Sequence, residues 1–173
     1  MKRMKGFGLI EVMVALLVIA IGVMGLMSLQ TYTLKEAKEA EYFARANFLA
    51  KDMFERIRAN TQGATGYTVA LNASVTTTAD CNGNACTAAE MASWDLFNWC
   101  FELAKGFQTT TDDRASFTCN SLPASIDVTL DAAAAAAAVP FTRYQANITI
   151  EVPIYDDMAG STDNMTFSFV SEI

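Results

Sequence analysis

Histidine is missing from the 173 residues. The commonest general base and metal ligand is therefore absent, no Ser-His-Asp triad can form, and hydrolytic chemistry becomes a poor expectation. Positive charge is scarce as well, with 12 Lys+Arg against 19 Asp+Glu and a formal net charge of -7. An acidic chain lacks a basic footprint for phosphate backbones, so direct nucleic-acid binding is not expected. The four cysteines contain no Cys-x-x-Cys pair, which sets aside a zinc site and a redox site of that kind. Asp112-Asp113 and Asp156-Asp157 do not follow a calcium-loop spacing and read as solvated loop carboxylates. No cofactor is expected. Between Thr31 and Asn60 there is neither proline nor glycine, so nothing in that stretch breaks a helix.

The chain is organised around its first thirty residues, MKRMKGFGLIEVMVALLVIAIGVMGLMSLQ. A short leader, Met1 to Gly6, carries Lys2, Arg3 and Lys5, and an almost unbroken apolar run extends from Phe7 to Leu29. An ordinary signal peptide has a shorter apolar core with a small-residue cleavage site behind it. Here the plausible cut, Gly6-Phe7, lies ahead of the run, so cutting removes the charges and keeps the hydrophobic segment. The run reaches the roughly 20 residues that span a bilayer, and the basic leader stays cytoplasmic by the positive-inside tendency. Glu11 is the residue a plain anchor does not explain. A carboxylate within hydrocarbon costs roughly 2.5 kcal/mol or more and calls for a named partner. The α-amino group that a cut would create on Phe7, in the same chain or in a neighbour, is that partner.

GFGLIEVMVALLVIAIG resembles the leader junction and N-terminal helix of type IV pilins and pseudopilins. The resemblance implies that a prepilin peptidase cuts after Gly6 and methylates the new N-terminus at Phe7. It also implies that Glu11, the fifth mature residue, aligns subunits during assembly. Gly8 stands where the family often has Thr, and Ser28 where major pilins often have a kinking proline; the second departure favours a minor subunit. The anchor's Gly22-Val-Met-Gly25-Leu-Met-Ser-Leu-Gln30, with ERIRAN from Glu55 to Asn60, resembles the PilV minor pilins, or type IV pilus modification proteins, over residues 1–60.

From Thr31 to about Asn60, Ala40, Phe43, Ala46, Asn47, Ala50, Met53 and Ile57 recur at steps of three and four, the spacing of one helix face. The apolar helix therefore continues and becomes amphipathic, with the stripe as core for a packed domain. Lys51 and Glu55, four apart, can pair weakly. Gly22 and Gly25 lower helix propensity; they either allow close packing or local stretching in an assembled filament or are simply tolerated in a membrane helix. TQGATG after Asn60 is a breaker cluster that stops the helix, and Tyr67–Thr78 reads as an irregular strand.

Asn82-Gly83 marks a turn between Cys81 and Cys86. Thr87 and Glu90 have capping-box spacing and open a helix to about Lys105, with Gly106 as its stop. Met91, Trp94, Phe97, Phe101 and Ala104 form its apolar face. Outside the cytoplasm four cysteines imply disulfides, with three connectivities open. The pairing expected is Cys81–Cys86, closing a tight turn, and Cys100–Cys119, tying the short helix to the segment after it. SIDVTL (Ser125–Leu130), RYQANITIEV (Arg143–Val152) and MTFSFV (Met165–Val170) alternate as strands, with Pro153 at an edge or a strand end, 155–164 a loop and the run Ala132–Ala138 a connection or a short helical turn. Asn72, Asn147 and Asn164 fit the short glycosylation pattern by chance.

The expected fold is α+β. It is a pilin fold in which a long N-terminal helix, transmembrane and then amphipathic, packs on a C-terminal antiparallel sheet with a small inserted helix. Residues 1–6 are the leader, 7–30 the transmembrane and assembly helix, 31–60 its amphipathic half and 61–173 a periplasmic domain. Removing the leader lowers Lys+Arg to 9 against 19 acids, a mature net charge of about -10. The resemblance implies a non-enzymatic minor pilin that helps initiate and assemble a type IV pilus. Its partners are the prepilin peptidase, other minor pilins and the major pilin. It sits in the inner membrane before assembly and at the cell surface, in the pilus, afterwards. A minor pseudopilin of type II secretion shares the motif and is the alternative. A signal-anchored periplasmic binding protein or enzyme would keep its leader and leave Glu11 without an amine.

Overall fold

The structure, a computed structural model, describes residues 8–107, 117–130, 144–156 and 161–173, with side chains for all of these except 153–156 and 161–163. In chain order the elements are α1 (Leu9–Ala59), a 3-10 helix (Thr61–Tyr67), α2 (Ala88–Phe107), β1 (Ala124–Leu130), β2 (Tyr144–Asp156) and β3 (Ser161–Glu172). The chain forms two compact units, Met1–Glu41 and Tyr42–Ile173. The Ala132–Ala138 run, Asp112-Asp113 and Asp157 lie outside the described residues.

In the second unit α1 contributes Ala46, Leu49, Ala50, Met53, Phe54 and Ile57 to the core. These positions step by three and four, so one face closes over the sheet and α2. Ala40 and Phe43, expected on this stripe, are exposed. Phe43 instead sets its ring against Phe167 and Phe169, with centroids 5.7 and 6.3 Å away. The helix ends where TQGATG begins, but that cluster does not simply break the chain; it coils into the 3-10 helix. Gly63 makes this possible: a Cβ there would lie 2.5 Å from the Ala88 carbonyl oxygen and 2.6 Å from Asn60 Nδ2.

Helix α2 starts on a complete capping box. Glu90 N–H donates to Thr87 Oγ1 at 3.3 Å, and Thr87 N–H donates to Glu90 Oε2 at 2.8 Å, so two orphan donors are satisfied reciprocally. The helix passes through Gly106 to Phe107, two residues beyond the expected end; a single glycine lowers helix propensity without forcing a stop. Of its expected apolar face Phe101 and Ala104 are buried, but the rest of the face is rotated. Ala92, Leu96, Trp99 and Leu103 lie in the core, while Met91, Trp94 and Phe97 are half-buried. Phe97 and Phe101 meet Phe117 edge-on at 5.8 and 5.0 Å.

The three strands form one antiparallel sheet in the order β1-β2-β3. Ala146, Ile148, Ile150 and Val152 of β2 are fully buried, the period-two pattern of a strand with one face on a core. Each such large apolar side chain contributes about 1.5–3 kcal/mol on burial. Residues 67–78 form no strand. Tyr67 belongs to the 3-10 helix, and single bridges join Val69 to Ile126 and Val75 to Cys119. Between them Asn72, at φ 59°, turns the chain and interrupts any ladder.

The β2–β3 hairpin is longer than expected. One register holds from Gln145↔Glu172 to Asp156↔Ser161, across Pro153↔Asn164 and most of the expected loop. Backbone direction explains why proline is tolerated there. Glu151 N–H points to the β1 side and donates to Pro123 O at 2.9 Å. Pro153 N, two residues on, points the same way, beyond the Ala124↔Ile150 end of the β1 pairing. No ladder donor is lost. This is the α+β pilin fold.

Candidate functional site

The first unit is helix and little else. From Leu9 to Leu29 every side chain is exposed, including large ones such as Leu9 (80%), Met24 (71%) and Leu29 (60%). At about 1.5 Å per residue this stretch is roughly 31 Å long, close to the thickness of a bilayer's hydrocarbon core. By length and composition the helix can cross a membrane. Lys35, Glu36, Lys38, Glu39 and Glu41 then crowd the next turns and mark where the apolar segment meets water.

Glu11 sits in the first turn of α1. Its N–H donates to the Gly8 carbonyl at 3.0 Å. Among the described residues no cation lies against its carboxylate, which is exposed. Gly6 and Phe7, the expected cleavage and methylation positions, lie outside the described residues. A carboxylate at a helix N-terminus is favourably placed against the helix dipole. Within hydrocarbon that alone falls short of the desolvation cost.

The second unit holds its polar groups differently. Asp95, in the middle of α2, is only 8% exposed. Arg56 Nη1 donates to its Oδ1 at 2.9 Å and Tyr67 Oη to its Oδ2 at 2.6 Å, while Arg56 Nε donates to Asp52 at 2.8 Å. Asn60 Nδ2 donates to Ala88 O at 2.8 Å and to Tyr67 Oη at 3.2 Å. Burial, and then the bond to the Asp95 carboxylate, push the Tyr67 hydroxyl well above its ordinary pKa, so it stays a neutral donor. Burial works against the Arg56 guanidinium, but the bonds to Asp52 and Asp95 outweigh it and hold the charge more firmly than usual. The network ties α1, the 3-10 helix and α2 through the ERIRAN segment. Sequence reasoning missed Asp95 and Tyr67. The one available signal was a carboxylate flanked by the apolar Trp94 and Leu96 in α2.

Cys81 and Cys86 are bonded to each other, with Cα atoms 5.7 Å apart, and Cys100 to Cys119, with Cα atoms 6.1 Å apart. The second pair fastens α2 to the segment that leads into β1. Each closes a loop whose entropy in the unfolded chain would otherwise oppose folding. Lys51 and Glu55 do not pair; Glu55 bonds Arg58 instead. Among the described residues no cluster of three or more His, Cys, Asp or Glu is placed to hold a metal.

Two family comparisons match. Residues 1–27 match the prokaryotic N-terminal methylation motif, and residues 28–97 match type IV pilin Tt1218. No curated protein and no solved structure matches the chain. A helix long and apolar enough for a membrane fits a pilin held in the inner membrane before it joins a pilus. The pilin fold and the two matches, which together run from Met1 to Phe97, support a type IV pilin.

Proposed function

We propose that the chain is a minor pilin of the PilV kind, a structural subunit rather than an enzyme, and that it takes part in initiating and assembling a type IV pilus. In this reading a prepilin peptidase removes residues 1–6 and methylates the Phe7 amine. Residues 7–30 anchor the subunit in the inner membrane, residues 31–60 carry the helix outward, and residues 61–173 fold in the periplasm. During assembly the subunit joins other minor pilins and the major pilin, and ends at the cell surface.

The observation that carries the reading is the helix from Leu9 to Leu29, wholly exposed and apolar apart from Glu11 and, near its end, Ser28. Lipid satisfies the apolar surface but not the carboxylate. The Phe7 amine of an adjacent subunit satisfies both needs at once, because it arrives on another apolar helix. Such a pair forms in one axial register, so it acts as a registry device.

Glu11→Ala tests this. The variant is expected to be cleaved and inserted normally, yet to be missing from sheared pili and to leave a strain lacking the protein without restored piliation. Glu11→Val should behave alike, since added apolar surface does not replace a charge partner. Wild-type recovery of Glu11→Ala in sheared pili would remove the alignment role.

A further inference from the structure

Strand β3 is an edge of the sheet, and no described strand pairs with its outer side. Tyr144 and Ile173 exchange both backbone hydrogen bonds, at 3.0 and 2.8 Å. In an antiparallel pair this sets which residues of β3 face β2. With the single register of the hairpin, the odd-numbered residues 165–173 turn their N–H and C=O toward β2. The even-numbered ones, Asn164, Thr166, Ser168, Val170 and Glu172, turn theirs outward. The outward carbonyl of Glu172 is taken by Arg58 Nη2 at 3.1 Å. No backbone bond is made from the outward side of Thr166, Ser168 or Val170 to a described residue.

Natural edges are blunted by a bulge, a proline, a charge on the edge or a covering element. Among the described residues β3 has none of these at its centre. It runs twelve residues without a bulge or proline, and Thr166, Ser168 and Val170 carry no charge. Beside this edge lies a groove of about 710 Å³ between β3 and the flank of α1, whose lining includes Lys51, Glu55 and Arg58 on one side and Ser168, Phe169 and Val170 on the other. Arg58 is already bonded to Glu55, Ser171 and Glu172. Lys51 makes no ion pair with a described residue, so the groove presents one uncompensated cation.

We propose that this groove takes an extended strand from a different pilin subunit, hydrogen-bonded to Thr166, Ser168 and Val170 and carrying a carboxylate side chain against Lys51. Main-chain bonds along a free edge supply the affinity of such strand addition, and the side chains beside it supply the selection. A second copy of this chain is the poorer occupant, because two acidic chains, each near -10 after leader removal, repel. The inference rests on the pilus-subunit reading above but concerns a surface far in sequence from Glu11.

The test uses the full-length protein in piliated cells, with a benzophenone amino acid in place of Ser168 in one strain and of Leu16 in another. The expected result is a light-dependent adduct from position 168, mapped by mass spectrometry to an extended segment of another pilin subunit. Val170→Pro removes one outward N–H and leaves the β2 ladder intact, so it should cut that adduct about fivefold or more, while Val170→Ala leaves it within about twofold. Lys51→Glu should weaken it about threefold or more. An unchanged adduct in the proline variant, an adduct to a second copy of this chain, or no adduct at 168 overturns the proposal. If position 168 is silent while Leu16 still crosslinks to other subunits, the assembly reading stands and only the groove falls. If both are silent, both fall.

Discussion

One helix lies in two environments. From Leu9 to Glu41 almost every side chain is exposed, and the large apolar ones have no tertiary partner in the described chain. From Tyr42 to Ala59 the same helix buries Ala46, Ala50, Met53 and Ile57 completely and bonds Arg45, Arg56 and Arg58 across to other elements. The second stretch is explained by its own fold. The first is not, because exposed apolar surface of this extent is stable only when lipid or another helix covers it. The comparison separates residues that stabilise the domain from residues whose surface the described fold leaves uncovered.

The sharpest test of that separation is at the leader. Gly6→Val is expected to abolish cleavage and stop the subunit from joining pili, with no change in the melting temperature of the Tyr42–Ile173 unit. Intact mass of the membrane-extracted protein reads the first result, and normal maturation of the variant would remove the prepilin reading.

The next effects fall on the packed unit. Replacing Cys100 and Cys119 together with serine should cost about 2–4 kcal/mol, which is roughly 10 °C in melting temperature for a domain of this size. Alkylation without reductant should find no free thiol in the wild-type protein. Asp95→Ala leaves Arg56 and the Tyr67 hydroxyl without their shared acceptor and should cost about 2–3 kcal/mol. Chemical denaturation measures both losses. Membrane insertion and leader cleavage should be unaffected by either change, and a processing defect would erase the distinction between the two regions.

The smallest effect is a pH dependence at the start of α2. Bonds from the Thr87 N–H and then the Thr87 hydroxyl hold the Glu90 carboxyl below its ordinary pKa. Its stabilisation is therefore fully present above the unfolded carboxylate range, near 4.3, and fades as the pH falls through the lower folded value. The acid limb of the stability curve should shrink in Glu90→Gln. An unchanged acid limb would show that the capping box contributes nothing there.

Much of this was legible in the residues. The lack of proline and glycine after Thr31, with apolar residues at steps of three and four, marks the long helix; Thr87 and Glu90 mark the start of α2; strict alternation marks β1 and β2. Other features were hidden for physical reasons. Asp95 reads as a surface residue because composition does not reveal that Arg56 and Tyr67, 39 and 28 residues away, will be its partners. Gly63 reads as a breaker, while its purpose is to let the Ala88 carbonyl approach. The hairpin past Val152 was masked by Pro153, whose tolerance depends on which side of β2 its nitrogen faces. Of the candidate site, the apolar run and its lone carboxylate Glu11 are visible directly in the residues, and the helix of Leu9–Ala59 carries both.

On the pilus-subunit reading proposed above, the bonds that hold α1 in the packed unit would also decide how a mechanical load is carried. Four side-chain ties leave the helix sideways: Arg45 to the Gly106 carbonyl, the Trp99 indole to the Leu49 carbonyl, Arg56 to Asp95, and Arg58 to Ser171 and Glu172. They start within a span of fourteen residues and reach both α2 and β3. A pull along the helix axis would stretch them in parallel, as shear, instead of peeling them one after another. Tension on a filament built from such helices would therefore be shared between the small helix and the sheet, and no single contact would bear it alone.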